Sequence, residues 1–411
     1  MNFTKHSNQL VQLFQSRPSD TPHPVTRTSA HLLSVLCDDI READRAVRSL
    51  GKWTPTVAHI HSARQIPKPR QFNATSFADE VRHHIHDHIV TKVCYRFSLQ
   101  HRPYTIYFLL ESPSTSFNET QYNRYAHLIA MWLYVADKYR QDAQCANSTT
   151  LYLYMTSLQK RLPKSNIDIL NEVHVNTAFT YSCPKDAEIV VFRKEEWFKV
   201  FIHETFHAFG LDFSTMNNDD VHACILRIFD VPSKVNAYEA YIEFWAEIIN
   251  ALFCGFYATY KEPESFLSVA MYFIQLESQF SLFQLTKALQ FMGLRYSDLY
   301  AKTKQATLLR KTRYKEHTSV LAYYIIKGVL MAHWSKFLDW CHVHNTPSCI
   351  AFKRTAENQT AFCRFIETHY KSKSMMTQLA QSTSLLSRLQ TKNYVEPFVL
   401  NTMRMTLWEL G

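Results

Sequence analysis

The period of the apolar positions changes near residue 210. Before that point, short aromatic and β-branched runs predict strands at Tyr104 to Glu111 (YTIYFLLE), Thr150 to Thr156 (TLYLYMT), His174 to Tyr181 (HVNTAFTY) and Ala187 to Arg193 (AEIVVFR). Gln121 to Arg140 repeats its apolar residues at helical spacing. So does Leu32 to Leu50, whose other face carries Asp, Glu and Arg. A further helix opens at Lys194 and runs to about Phe209, with Glu195 and Glu196 in the first turn, where the helix dipole favours carboxylates. Gly210 stands at its C′ position, where a positive φ is required. After the polar Asn217 to Asp220, helical spacing dominates: 221–229, 236–260, 264–290, 318–341, 359–371, 375–391 and 397–409. The pattern predicts an α+β protein in three consecutive blocks. Residues 1–75 form a helical extension with a connector at Pro67 to Arg70, 76–215 a mixed-sheet part, and 216–411 a mainly helical part.

Composition narrows the classes. The 411 residues, 46% hydrophobic and 14% aromatic, describe an ordered chain able to bury a sizeable core. Six scattered glycines argue against phosphate-cradling loops and dinucleotide folds, which need clustered glycines. Nine cysteines without a repeated framework suit a reducing compartment. With no apolar leader at the N-terminus and no long apolar window, the expectation is an intracellular, cytoplasmic protein without a membrane span. The most apolar window, Val320 to Trp334, is interrupted by Lys327 and His333. A formal charge of +9 admits anionic partners. Much of it lies in Lys302, Lys304, Arg310, Lys311, Arg313 and Lys315, read either as a solvated surface or as a nucleic-acid patch.

The helix from Lys194 to Phe209 carries the candidate chemistry. It is apolar on nearly every side, yet His203, Glu204 and His207 interrupt its middle (HETFH). Ionisable groups in such a setting need pairing, hydrogen bonds or a metal. Two histidines four apart share one helical face and reach one Zn²⁺, and the glutamate beside the first is placed to act as general base. In a chain with 20 histidines the bare pattern arises by chance about once in twenty such chains. The buried helix, the preceding strand and Gly210 therefore carry more of the argument than the motif does.

An open zinc site needs a third ligand. An H-E-x-x-H-x-x-G-x-x-H arrangement would put it at residue 213, which is Phe213, with Asp212 one position early. The next long helix, Asn236 to Ala251 (NAYEAYIEFWAEIINA), instead places Glu239, Glu243 and Glu247 at i, i+4 and i+8 among large apolar residues. The three are either metal-associated or a solvated acidic stripe.

HETFH at 203–207 together with EFWAE at 243–247 resembles the gluzincin branch of the zincin metallopeptidases. The resemblance covers about residues 100 to 255. It implies one catalytic Zn²⁺ held by His203, His207 and Glu243, with Glu204 as catalytic base and Glu247 orienting a ligating histidine. Glu239 is the alternative ligand, Glu243 then taking the orienting role. It also implies a zincin-like mixed sheet whose edge strand, Val175 to Tyr181, pairs with an extended peptide or protein substrate. A tyrosine of the C-terminal half, Tyr323 or Tyr324, is a candidate to stabilise the oxyanion, with core packing as the other reading. The chain is also similar in general pattern to uncharacterised zincin-like proteins of large cytoplasmic DNA viruses.

The expected function is thus a zinc metallopeptidase. One alternative is a catalytically silent zincin-fold structural or virion-associated protein, and another is a basic nucleic-acid-associated factor. Two further clusters stand outside this scheme. The run His83, His84, His86 and His88 reads as a surface helix or strand, or as an adventitious metal binder. Cys341, His342, His344 and Cys349 echo a zinc knuckle without a second Cys-x-x-Cys pair.

Overall fold

The computed structural model describes residues 2–15, 24–72, 77–391 and 396–411. Parts of the expected N-terminal extension, 16–23 and 73–75, lie outside them. The chain is α+β. Its elements run α1 (Lys5–Gln15), α2 (Arg27–Ser49), β1 (Thr56–His59), α3 (Asp79–His88), β2 (Thr91–Leu99), β3 (Arg102–Leu110), α4 (Glu119–Tyr139) and β4 (Ser148–Met155). These are followed by α5 (Glu172–Val175), β5 (Ala178–Phe179), β6 (Asp186–Val191), α6 (Trp197–Ala208), α7 (Asp219–Ile228), α8 (Ala237–Ala258) and α9 (Phe266–Phe291). Then come α10 (Lys304–Arg313), α11 (Lys327–Ala332), α12 (Trp334–His344), α13 (Ala356–His369), α14 (Lys373–Thr391) and α15 (Pro397–Asn401). No described helix is long and apolar enough to cross a membrane.

The chain divides into two compact units that cut across the three consecutive blocks. A sheet unit comprises residues 35–159 and 176–211, and a helical unit comprises 1–34, 160–175 and 212–411.

In the sheet unit the described strands form one mixed sheet of order β1-β2-β3-β4-β6-β5. β3, β4 and β6 are parallel to one another, whereas β1 and β2 on one side and β5 on the other are antiparallel to their neighbours. Alternation at period two sorts the side chains to two faces. Leu109, Tyr152, Tyr154 and Val190 meet Val81 and Ile85 of α3 on one face. On the other, Phe108 packs edge-on against Tyr122 and Trp197. Both faces are covered, so these strands read as nearly unbroken apolar runs.

The expected strand at His174 to Tyr181 shrinks to Ala178–Phe179, with a helical turn, α5, ahead of it. The Asn171 side chain accepts the Val173 amide at 3.2 Å, a local bond that favours a turn over extension. What remains is the expected antiparallel strand at one sheet edge. β1 and β2 lie outside the expected strands.

The cysteines are not all free. Cys145 and Cys183, 38 residues apart, form a disulfide within the sheet unit, and the remaining seven are free thiols.

The helical unit is organised around α8 and α9. The expected helix 318–341 is broken: a π-helical turn at Leu321–Ile326 leads into α11, and the chain breaks at His333 before α12. The His333 ring bonds the Val329 carbonyl at 2.9 Å and Ser372 Oγ at 2.8 Å. The expected helix 397–409 stops at Asn401. Beyond it, Thr402 to Trp408 run buried, because side chains of the packed helices capture the main chain. Gln284 Nε2 donates to the Thr402 carbonyl at 3.2 Å and Asn250 Nδ2 to the Trp408 carbonyl at 2.9 Å. Glu277 accepts the Leu407 amide at 2.9 Å. Burial, then the neighbouring Glu247 carboxylate, push Glu277 well above the ordinary carboxylate range. Tertiary hydrogen bonds here replace the helical ladder that periodicity alone predicts.

Candidate metal centre

β6 leads into α6 through Phe192 to Glu196. The Phe192 amide bonds the Thr177 carbonyl and the Lys194 amide the Thr156 carbonyl. These bonds hold the chain off a helical path, so α6 opens at Trp197 rather than at Lys194. Glu196 adopts φ 59° as the residue before the helix, and both Glu195 and Glu196 are buried rather than solvated in a first turn.

All twelve residues of α6 are buried. Trp132 of α4 stacks on Phe206 at 6.1 Å, and Tyr125 packs against Trp197 at 4.9 Å. The far end closes as the sequence requires. Gly210 has φ 63°, its amide bonds the His207 carbonyl at 3.1 Å, and the Leu211 amide bonds the Phe206 carbonyl at 2.8 Å. This paired closure is the Schellman arrangement. The Cys183 amide also donates to the His207 carbonyl, at 2.9 Å, tying the disulfide loop to the last turn of α6.

Within that frame His203 and His207 lie one turn apart with ring centroids 5.2 Å apart and planes inclined at 71°. Glu204 is buried beside them, only 5% exposed. The two imidazoles share one helical face and are withdrawn from bulk water, a donor pair that fits Zn²⁺, and the Glu204 carboxylate is buried next to the first of them in the chain.

The other predicted residues belong to the helical unit. On α8, Glu239 is half-buried, Glu243 buried and Glu247 fully buried, so they do not form a solvated acidic stripe. Glu247 accepts from Lys327 Nζ at 2.6 Å and from Ser281 Oγ at 2.9 Å, which makes it one half of a core ion pair. Phe213, in the frame position of the alternative ligand, packs among Tyr238, Tyr241, Phe352 and Phe362. Tyr324 lies in the π-helical turn with no exposed surface, and its hydroxyl donates to the Met403 carbonyl at 2.7 Å. The proton an oxyanion would need is engaged by the main chain in this structure.

The weaker clusters resolve in the same way. The histidine run lies on α3, where His84 Nε2 is 2.6 Å from Glu111 Oε1 and its ring stacks on His88. Cys341 is fully buried, while Cys349 Sγ lies 3.7 Å from His342 Nδ1. Among the described residues, neither cluster brings three ligand atoms together. Arg310 is not part of a basic surface: its guanidinium turns inward to the carbonyls of Asp298 and Ala301, both at 2.7 Å, and to Asp230 at 3.1 Å.

Sequence reasoning missed the grouping of Asp142, Cys145 and Cys183, because the two cysteines are far apart in the chain and neither lies in a metal-binding spacing. No protein-family model, no curated protein and no solved structure matches the chain.

Proposed function

We propose that this protein is a zinc-dependent metallopeptidase. The observation that supports the reading most is the placing of His203 and His207 on one face of a wholly buried helix, with Glu204 between them. Two imidazoles and a carboxylate withheld from water are costly unless their donor atoms are used. His203 and His207 are the proposed metal ligands. The third is a carboxylate of α8, Glu243 by the resemblance to gluzincins, with Glu239 as its alternative. Zinc held by such residues supplies a Lewis acid that polarises the scissile carbonyl. Glu204 takes the proton of the attacking water and passes it to the leaving amine nitrogen. The substrate is an extended peptide, taken by strand addition along the outer edge of β5.

Metal analysis of the purified protein is the first test. The wild type is expected to hold one zinc per chain and His207→Ala none. Glu204→Gln should keep the metal and lose at least 100-fold in peptide hydrolysis. A wild type without zinc overturns the proposal. Bound zinc with no hydrolysis of any peptide in a diverse library favours a silent structural role instead. Glu243→Gln and Glu239→Gln, compared for zinc content, identify the carboxylate ligand.

One observation favours a second reading. Lys302, Lys304, Lys311, Arg313 and Lys315 are exposed on and around α10, and no ion-pair partner accompanies them among the described residues. Such a patch suits a phosphate backbone, and salt-dependent binding of nucleic acid would support it.

A further inference from the structure

Asp142, Cys145 and Cys183 offer a carboxylate oxygen and two sulfurs that all lie within 4.8 Å of one another. This group lies wholly in the sheet unit and shares no residue with the His203–His207 pair. The two loops that carry it are held together independently of the sulfur–sulfur bond. The Ala146 amide bonds the Pro184 carbonyl and the Asn147 amide the Lys185 carbonyl, each at 2.7 Å. Arg102 donates to the Ala146 carbonyl at 3.0 Å and Arg140 to the Cys145 carbonyl at 2.8 Å, which fixes the first loop. Opening the disulfide therefore leaves the two sulfurs as neighbours.

We propose that Asp142, Cys145 and Cys183 form a redox-exchangeable site: a disulfide when oxidised, and a two-thiolate, one-carboxylate site for a soft divalent cation when reduced. The step balances with an external dithiol as the reductant. Two electrons and two protons pass to the Cys145–Cys183 bond, which breaks to give two thiols, while the dithiol closes to its own disulfide. The incoming cation then replaces the two thiol protons, which leave to solvent. Tetrahedral binding needs the sulfurs to part to about 3.8 Å, twice the Zn–S length resolved along the ligand edge. Both cysteines lie in loops rather than in strands or helices, so that separation needs no break in a ladder. Thiolates with one carboxylate select Zn²⁺ or Cd²⁺ over Mg²⁺ or Ca²⁺.

The test uses the full chain titrated with Cd²⁺, before and after reduction by a phosphine that is then removed. The readout is ultraviolet thiolate-to-cadmium charge-transfer absorption, which a histidine and carboxylate site does not give. Failure of the metallopeptidase reading therefore leaves this result untouched. The reduced wild type is expected to bind one Cd²⁺ with that absorption, and the oxidised protein to show none. Reduced Cys145→Ser/Cys183→Ser is expected to show none, and an absorption equal to that of the reduced wild type overturns the proposal. Asp142→Asn keeps both cysteines and the disulfide, so it tests the site even where the serine variant does not fold. It should bind Cd²⁺ about tenfold more weakly, the size of effect expected for a disturbed ligand set. Unchanged affinity in Asp142→Asn overturns the three-ligand site.

Discussion

Lys327→Met strips one cation from the core of the helical unit and leaves the rest of the side chain's length in place. Lys327 and Glu247 are both wholly buried. The ammonium donates to Glu247 Oε1 at 2.6 Å and to Ser281 Oγ at 3.1 Å, and Ser281 in turn donates to Glu247 Oε2 at 2.9 Å. The methionine thioether fills the volume but cannot compensate the carboxylate. Two charge-assisted hydrogen bonds at about 1.5–3 kcal/mol each bracket the loss. So does the measured range for stripping one partner from a buried pair, about 3–5 kcal/mol. A cost of about 3–5 kcal/mol is therefore expected, which at an m-value of about 3 kcal/mol/M lowers a urea midpoint by about 1–1.7 M. Hydrogen exchange in α8, α9 and α11 localises the loss to this core. Acidification should narrow the gap to wild type, because protonation removes the stranded charge. Lys327→Met/Glu247→Leu should recover most of the stability, since a hydrophobic replacement of a buried pair is often neutral or better. A single variant costing under about 1 kcal/mol, or a double variant no more stable than the single, refutes the reasoning.

Other substitutions separate groups that look alike in sequence. Arg310→Ala should destabilise the helical unit by about 2–4 kcal/mol, because it strands the buried carbonyl of Asp298 and the part-buried carbonyl of Ala301, whereas Lys304→Ala and Lys311→Ala stay within about 0.5 kcal/mol. Thermal melts of the three variants check this, and equal effects refute it. Glu277 is held well above the ordinary carboxylate range, so its contribution to stability is full below about pH 4.3 and is lost as pH rises toward the folded-state value. Glu277→Gln should flatten that decline in urea unfolding across pH 4.5 to 7, and an unaltered slope counts against it. Burial raises the Asp44 carboxyl, but bonds from His127 at 2.8 Å and Arg48 at 2.8 Å outweigh it and hold the group below its ordinary range. Its contribution is present above about pH 3.9 and lost as pH falls through the folded value. Asp44→Asn should cost about 1–2 kcal/mol at neutral pH and less in acid, and a constant difference down to pH 3 refutes the assignment.

The sequence by itself determined the local elements whose reasons are local. The strands YTIYFLLE and TLYLYMT, the helix around His203 and its closure at Gly210 follow from period, side-chain shape and the one residue type that tolerates a positive φ. It also placed two imidazoles and Glu204 on a helix too apolar to face water. Lys327 was visible there only as an interruption, with His333, of the most apolar window.

Only the tertiary structure paired Lys327 with Glu247, gave the Tyr324 hydroxyl to the Met403 carbonyl, turned Arg310 inward and joined Cys145 to Cys183. It also drew Thr402 to Trp408 out of a helix that periodicity predicts, because Gln284, Asn250 and Glu277 supply its main-chain hydrogen bonds. The physical reason is range. Helical and strand periods are fixed by neighbours within a few residues, whereas these pairings span from 12 to more than 150 residues, where nothing in the local pattern distinguishes one buried polar partner from another.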